Sequence, residues 1–253
     1  MEQIPALAGE RRDDHQSSEV MPDRQKIQPL AQRVYTNVGN PLVINQIDAS
    51  CRRVLDIGCG AGDNAALLRQ KLPNCEVFGI TRSEAEAERA RAYMTECWVD
   101  DIEGGVPAYL QREKFDCLLF SHVLEHLRNP AHVVACMSQL LRPGGRVVIA
   151  VPNIMFFKMR LRFLRGDFEY DPGGGILDDT HLHFYTYHTA DRYLLSESPD
   201  LRLVTKVSDG WVPFSGVYRR LIGQRLGKAI DRWGVRHWPN LFGYQIVLVA
   251  EKS

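Results

Sequence analysis

The sequence predicts an α/β fold, a largely parallel sheet with helices on both faces. Three observations carry that prediction. Short β-rich apolar runs alternate with helix-forming runs across residues 52–151. The stretch VLDIGCGAGD, Val54–Asp63, passes from an apolar strand into three glycines on alternate positions, Gly58, Gly60 and Gly62. The chain has 253 residues, 45% hydrophobic and 25% charged, enough to bury a core on both sides of such a sheet.

The elements follow in order. Residues 1–25 are polar with clustered charges (ERRDDHQSSE) and are expected to form a loose tail. A single domain then occupies 26–253. Residues 26–48 carry helical apolar spacing: Ile27, Leu30, Ala31, Val34 and Tyr35, then Leu42, Val43 and Ile47 after a Gly-Asn-Pro break. RRVLDI reads as a short buried strand and GDNAALLRQKL as a helix. CEVFGI is a strand, and SEAEAERARAYM is a helix of strong formers. ECWVD and KFDCLLFS are strands, PAHVVACMSQLL is a helix, RPGG a turn and RVVIAV a strand. Beyond Pro152 come a basic-aromatic insertion at about 154–170, a turn-rich segment DPGGGILDDTHLHFYT, and a second basic-aromatic insertion at about 212–240. An antiparallel pair, 201–208 with 242–251, is expected to close the sheet.

Composition excludes some functions. The formal net charge is zero, so no nucleic-acid partner is expected. None of the six cysteines forms a C-x-x-C pair, and they read as reduced, structural thiols suited to the cytoplasm. Neither a signal peptide nor a membrane span is expected from the apolar runs.

The glycine loop should bring backbone close to a small ligand at the carboxyl ends of the strands. A dinucleotide fingerprint needs a third glycine at position 63, where the chain has Asp63, and a phosphate loop needs Gly-Lys-Ser/Thr, which is absent. Asp56 and Asp63 beside the loop would repel a diphosphate. A cationic ligand bearing an amino-acid group fits better.

Three stretches together resemble the class I S-adenosylmethionine-dependent methyltransferases: DIGCGAG at 56–62, FDCLLFSHVLEHL at 115–127 and LLRPGGRVVIAVPN at 140–153. The resemblance spans roughly residues 27–155. It implies a seven-stranded Rossmann-like sheet of order 3-2-1-4-5-7-6 with the last strand antiparallel, and a helical lid. It also implies S-adenosyl-L-methionine as cofactor, with Asp56, Gly58, Gly60 and Gly62 shaping the pocket for its methionine half. Many relatives bind the ribose with an acid at the end of the second strand, where this chain has Thr81. The segment GITRS is similar to the cyclopropane-fatty-acid synthase branch, in which a glutamine five residues on takes that role. The matching residue is Glu86, framed by Thr81 and Arg82. The competing view makes Glu84, Glu86 and Glu88 a solvated helix surface. Asp101, with Asp100 as its neighbour and alternative, is the expected adenine acid, with the Ile102 backbone beside the ring. Ser121, His122 and Val123 are expected along the methionine arm and methyl group.

His122-Val-Leu-Glu125-His126 also spells a zinc protease string, which would make the chain a metallohydrolase. Its position after a buried strand argues against that chemistry, and no metal is expected. Glu125 and His126 are expected instead to pair structurally at a helix start. ILDDTHLHFYT is similar to strings in ubiquinone-biosynthesis-like and glycan-associated bacterial methyltransferases. Within it His181 is the candidate general base for an oxygen acceptor, or the residue that orients it, the alternative being that it caps a turn and fastens the lid to the core. The activity expected is methyl transfer to a small acceptor: a sugar, a quinol-like compound or a natural product. The competing class is a cofactor-binding partner protein without turnover. The basic-aromatic helices are expected to pack their apolar stripes on the sheet. The other outcome is contact with a lipid-linked acceptor or the inner membrane face.

Overall fold

The computed structural model describes residues 38–171 and 174–253, so the expected tail and the residues before Val38 lie outside the described part. Among the described residues seven strands form one sheet: β1 (Arg53–Ile57), β2 (Glu76–Thr81), β3 (Glu96–Val99), β4 (Phe115–Ser121), β5 (Leu141–Pro152), β6 (Leu201–Gly210) and β7 (Gly243–Lys252). Their order is β3-β2-β1-β4-β5-β7-β6. β1 pairs in parallel with β2 and β4, and only β7 runs against its neighbours. The first five carboxyl ends therefore lie along one edge, and β6 ends on that edge too.

Strand pleating sends alternate residues to two separate cores. Leu118 and Phe120 of β4 join one core, and Cys117 and Leu119 join the other. On the second face lie α1 (Pro41–Gln46), α2 (Asp63–Lys71) and α3 (Glu84–Ala90), through Val43, Leu68 and Ala87. On the first lie α4 (Pro130–Ser138) and α6 (Ala190–Leu194), through Val134, Met137 and Leu194. Asn40 and Asn129 cap α1 and α4, each followed by the proline that suits a first helical position. Among the described residues no helix is long and apolar enough to cross a membrane.

Two local expectations fail. RPGG is not a free turn; it lies inside β5, with Gly144 at φ +74° and the pairing with β4 slipping between Phe115 and Cys117. The helix expected to run to Met94 stops at Ala90. Met94 then folds under Gly79, whose hydrogen leaves the space that a Cβ would contest at 2.3 Å from its sulfur.

Candidate active site

The strand edge is built around the loop after β1. Gly58, Gly60 and Gly62 all have positive φ (+77°, +52°, +86°). Packing adds a second constraint at two of them. A Cβ on Gly58 would stand 2.5 Å from Val123 Cγ2, and one on Gly62 2.9 Å from the Ala90 backbone. The loop is thus pressed between the turn after β4 and the end of α3. The Gly58 and Cys59 amides both donate to the Ile80 carbonyl (2.8 and 3.0 Å), tying the loop to β2.

Asp56 is buried at the end of β1, and neither carboxylate oxygen has a hydrogen-bond partner. Burial pushes its pKa up to about 7, and a side-chain hydrogen bond from Asn64, too poorly formed to satisfy either oxygen, pulls the other way. A buried carboxylate without a well-formed hydrogen bond beside a positive-φ glycine loop suits a cationic or hydrogen-bond-donating group.

Thr81 and Glu86 come together as the sequence suggests. Thr81 Oγ1 donates to Glu86 Oε2 at 2.6 Å, and both side chains are buried, whereas Glu84 and Glu88 are exposed. The solvated-surface view therefore does not hold for Glu86. Ser83 caps α3 by accepting from the Glu86 amide, which points that first turn at the strand edge. The Cys59 thiol is pushed well up by its Cys97 partner, then by burial, then by the Asp56 and Glu86 charges. The loop accordingly lies within the field of both acids. Asp101 is more exposed. It caps the short turn Ile102–Gly104 and pairs with Arg82 at 3.2 Å, forming a rim, while the Ile102 side chain enters the core.

Ser121 ends β4, and His122 follows at φ +56°. The His122 ring is held on both sides, Nδ1 to Glu125 Oε1 (3.3 Å) and Nε2 to Gln245 Oε1 (3.1 Å). The amide of Gln245 is itself oriented. Asn40 Oδ1 accepts from the Val43 amide, so Asn40 Nδ2 must donate to Gln245 Oε1 (2.7 Å). Both ring nitrogens of His122 thus face acceptor oxygens, an arrangement that favours the protonated ring. Burial opposes that charge, but the Glu125 hydrogen bond and charge outweigh it and raise the His122 pKa. Gln245 and Asn40 carry no sequence signal for this role; they lie 123 and 82 positions away from His122 in the chain.

Glu125 does not pair with His126 as expected; it is fully buried and takes His122. His126 Nδ1 meets Thr180 Oγ1 (2.9 Å), which donates to Asp178 Oδ1 (2.5 Å). The segment 176–185 is fastened over this turn, the Leu182 and His183 amides donating to the Glu125 carbonyl. His181 is 8% exposed; its Nδ1 donates to the Ile176 carbonyl (3.1 Å), leaving the lone pair on Nε2, 4.0 Å from Glu125 Oε1. Burial lowers its pKa. Glu125, His126 and His181 offer ligand atoms within 4.8 Å of one another. A tetrahedral zinc with bonds of ~2.1 Å needs them about 3.4 Å apart. His122 and His126 share no helix face, because a strand end and a single short turn carry them.

A methyltransferase domain model matches residues 23–196, more than half of the chain. The chain belongs to the methyltransferase domain family. Curated relatives include the ubiquinone biosynthesis O-methyltransferases of Stutzerimonas stutzeri (32% identical over 122 residues, 45% of this chain and 52% of the relative) and Aromatoleum aromaticum (34% over 127 residues, 46% and 53%). The chain spans about half the length of the curated relatives it matches. Among solved structures, a SAM-dependent methyltransferase from Archaeoglobus fulgidus superposes with TM-score 0.56 at 21% identity, covering 81% of this chain and 87% of that one. The plantazolicin methyltransferase BpumL in complex with SAH gives 0.51 at 18%, covering 80% and 76%. S-adenosyl-L-methionine is the cofactor of this enzyme class, and the orphaned Asp56 carboxylate and the glycine cradle fit its cationic methionine half.

Proposed function

We propose that this methyltransferase domain moves the methyl group of S-adenosyl-L-methionine to an oxygen of a small, quinol-like acceptor. The observation that carries the cofactor site is the juxtaposition of the buried, poorly satisfied Asp56 with the Thr81–Glu86 hydrogen bond at one strand edge. The names of the relatives in ubiquinone biosynthesis support oxygen as the acceptor atom.

When bound, the cofactor supplies a sulfonium methyl that a nucleophile displaces in line. Asp56 would hold the amino group, with Gly58, Gly60 and Gly62 letting the backbone approach. Glu86, oriented by Thr81, would accept from the ribose hydroxyls, and Asp101 would accept from the adenine amino group at the rim. Ser121 and His122 would line the methionine arm, where the protonated ring suits a carboxylate. Positioning of this kind supplies several kcal/mol of rate acceleration.

The acceptor hydroxyl must lose its proton. His181 suits that task because its Nε2 carries the lone pair and Glu125 stands ready to stabilise the resulting cation. Its burial favours the other role, fastening the 176–185 segment. His181→Ala separates them: loss of turnover with unchanged S-adenosylhomocysteine binding and unchanged melting supports the base, and loss of melting temperature supports the fastener. The proposal as a whole is tested by S-adenosylhomocysteine release with a panel of catechols and phenols. Cofactor binding with no release across phenolic, sugar and amine acceptors would instead favour a binding partner without turnover.

A further inference from the structure

α7 (Ser215–Ile222) and α8 (Gln224–His237) form the insertion between β6 and β7. The expected packing of their apolar stripes on the sheet does not occur. α8 packs instead through Gly227, Asp231, Gly234 and Val235. Its two glycines permit that contact, since a Cβ would stand 2.4 Å from the Arg219 side chain at Gly227 and 2.3 Å from Val212 at Gly234. Two other stripes are left outward. One is apolar: Leu226, Ile230 and Trp233, at helical spacing, with Leu226 and Trp233 each more than half exposed. The other is cationic: Arg225, Lys228, Arg232 and Arg236, all exposed. α7 repeats the pattern, with Phe214, Val217 and Leu221 exposed at 82%, 59% and 78%. Trp238, 5.2 Å from Trp233 between ring centroids, extends the apolar surface.

Charge on this insertion is one-sided. Residues 211–242 hold six Arg and Lys against one acid, Asp231. That acid is buried and accepts from Arg219, Tyr218 and the Val212 amide, so it does not offset the outer cations. Like the neighbouring helix α5 (Phe157–Leu164), which exposes Leu161 and Leu164, the insertion sits at the ligand edge. Phe156 and Phe157, at the start of α5, lie against Trp211 and Phe242, which flank the insertion.

We propose that the α7–α8 hairpin docks this domain onto an anionic lipid bilayer, the apolar stripes entering the interface and the cationic stripe meeting the headgroups. An exposed apolar stripe beside a cationic one on the same helix is the pattern of interfacial helices, and tryptophan favours that depth. A second copy of the chain is a worse occupant, because a symmetric contact would set the same cationic stripe near itself. Docking there faces the proposed cofactor edge towards the bilayer; that consequence alone rests on the methyl-transfer proposal.

The test is co-sedimentation of the full chain with vesicles of phosphatidylcholine, with and without phosphatidylglycerol, at ~0.1 M salt, where screening is felt beyond about 10 Å. The expected result is binding that requires phosphatidylglycerol. Arg225→Gln, Lys228→Gln and Arg232→Gln together should weaken it on the order of a hundredfold, at about fivefold per cation. Leu226→Asp with Trp233→Asp should abolish it, and brominated lipid should quench wild-type emission more than that of Trp233→Phe. S-adenosylhomocysteine calorimetry on each variant checks folding, and a failure of cofactor binding in wild type leaves the vesicle result readable. No binding to anionic vesicles, binding indifferent to these substitutions, or concentration-dependent self-association that the same substitutions remove would each overturn the proposal.

Discussion

Replacing Asp56 by Asn should stabilise the cofactor-free protein while removing cofactor binding. A carboxyl moved from its ordinary 3.8 to about 7 is penalised, when ionised in the fold, by ~4 kcal/mol, taking ~1.4 kcal/mol for each tenfold change in proton affinity. The group is fully buried, so solvent screening does not reduce this, although relaxation around the side chain lowers it to roughly 2–4 kcal/mol. The sign follows from proton counting. Between pH 4 and 7 the folded state holds a proton that the unfolded state releases, so this group's contribution falls as pH rises. Urea melts of wild type and Asp56→Asn should therefore coincide near pH 4 and diverge towards pH 8, with the variant the more stable. For a chain of this size that is on the order of 5–15 °C in melting temperature. Ligand that pairs with ionised Asp56 should bind more tightly as pH rises through 7 and should protect wild type only. A variant less stable than wild type at pH 8, or a gap that does not change with pH, would show that the buried Asp56 carboxylate does not destabilise the fold.

Further outcomes follow from the same geometry. Gly58→Ala places a methyl against Val123 in a positive-φ position, so it should cost ~2 kcal/mol or more, read by chemical denaturation, and Val123→Ala should recover part of it. Glu86→Ala should weaken S-adenosylhomocysteine binding about tenfold or more, at ~1.5–3 kcal/mol for hydrogen bonds to a charged group. Glu88→Ala, on the exposed side of α3, should leave binding unchanged by calorimetry. Glu125→Gln should destabilise by ~1–3 kcal/mol, short of a fully buried pair because His122 is partly exposed. The His122 pKa is raised, so its contribution is present below about 6.5 and lost as pH rises through the folded value. The Glu125 pKa is lowered, so its contribution is present above about 4.3 and lost as pH falls. The gap between wild type and Glu125→Gln should be widest between those limits and close on either side; parallel pH profiles would contradict the pair.

The sheet was legible because its signals are local. Apolar runs such as Val54–Ile57 and Leu118–Phe120 end in turn residues, and the motif resemblance supplies their order. Gly58, Gly62, Thr81 and Glu86 were legible for a similar reason, since loop and helix start lie close to the strands they follow. What stayed hidden depends on contacts between distant residues. Gln245 and Asn40 orient His122 only because β7 returns beside β5. Glu125 turns to His122 because segment 176–185 claims its carbonyl and Thr180 claims His126. The direction of the α8 stripes is not legible in the sequence, because hydrophobic periodicity marks an apolar face without saying whether it is buried. Here small residues, Gly227 and Gly234, make the contact and the large apolar ones face outward.

A crystal structure of the chain with S-adenosylhomocysteine tests the cofactor pocket at Asp56 and Glu86 directly. The ligand's amino group is expected at Asp56, its chain along the Gly58–Gly62 loop and its ribose hydroxyls on Glu86. A ligand whose ribose sits elsewhere, or one that touches neither Asp56 nor Glu86, would contradict that pocket.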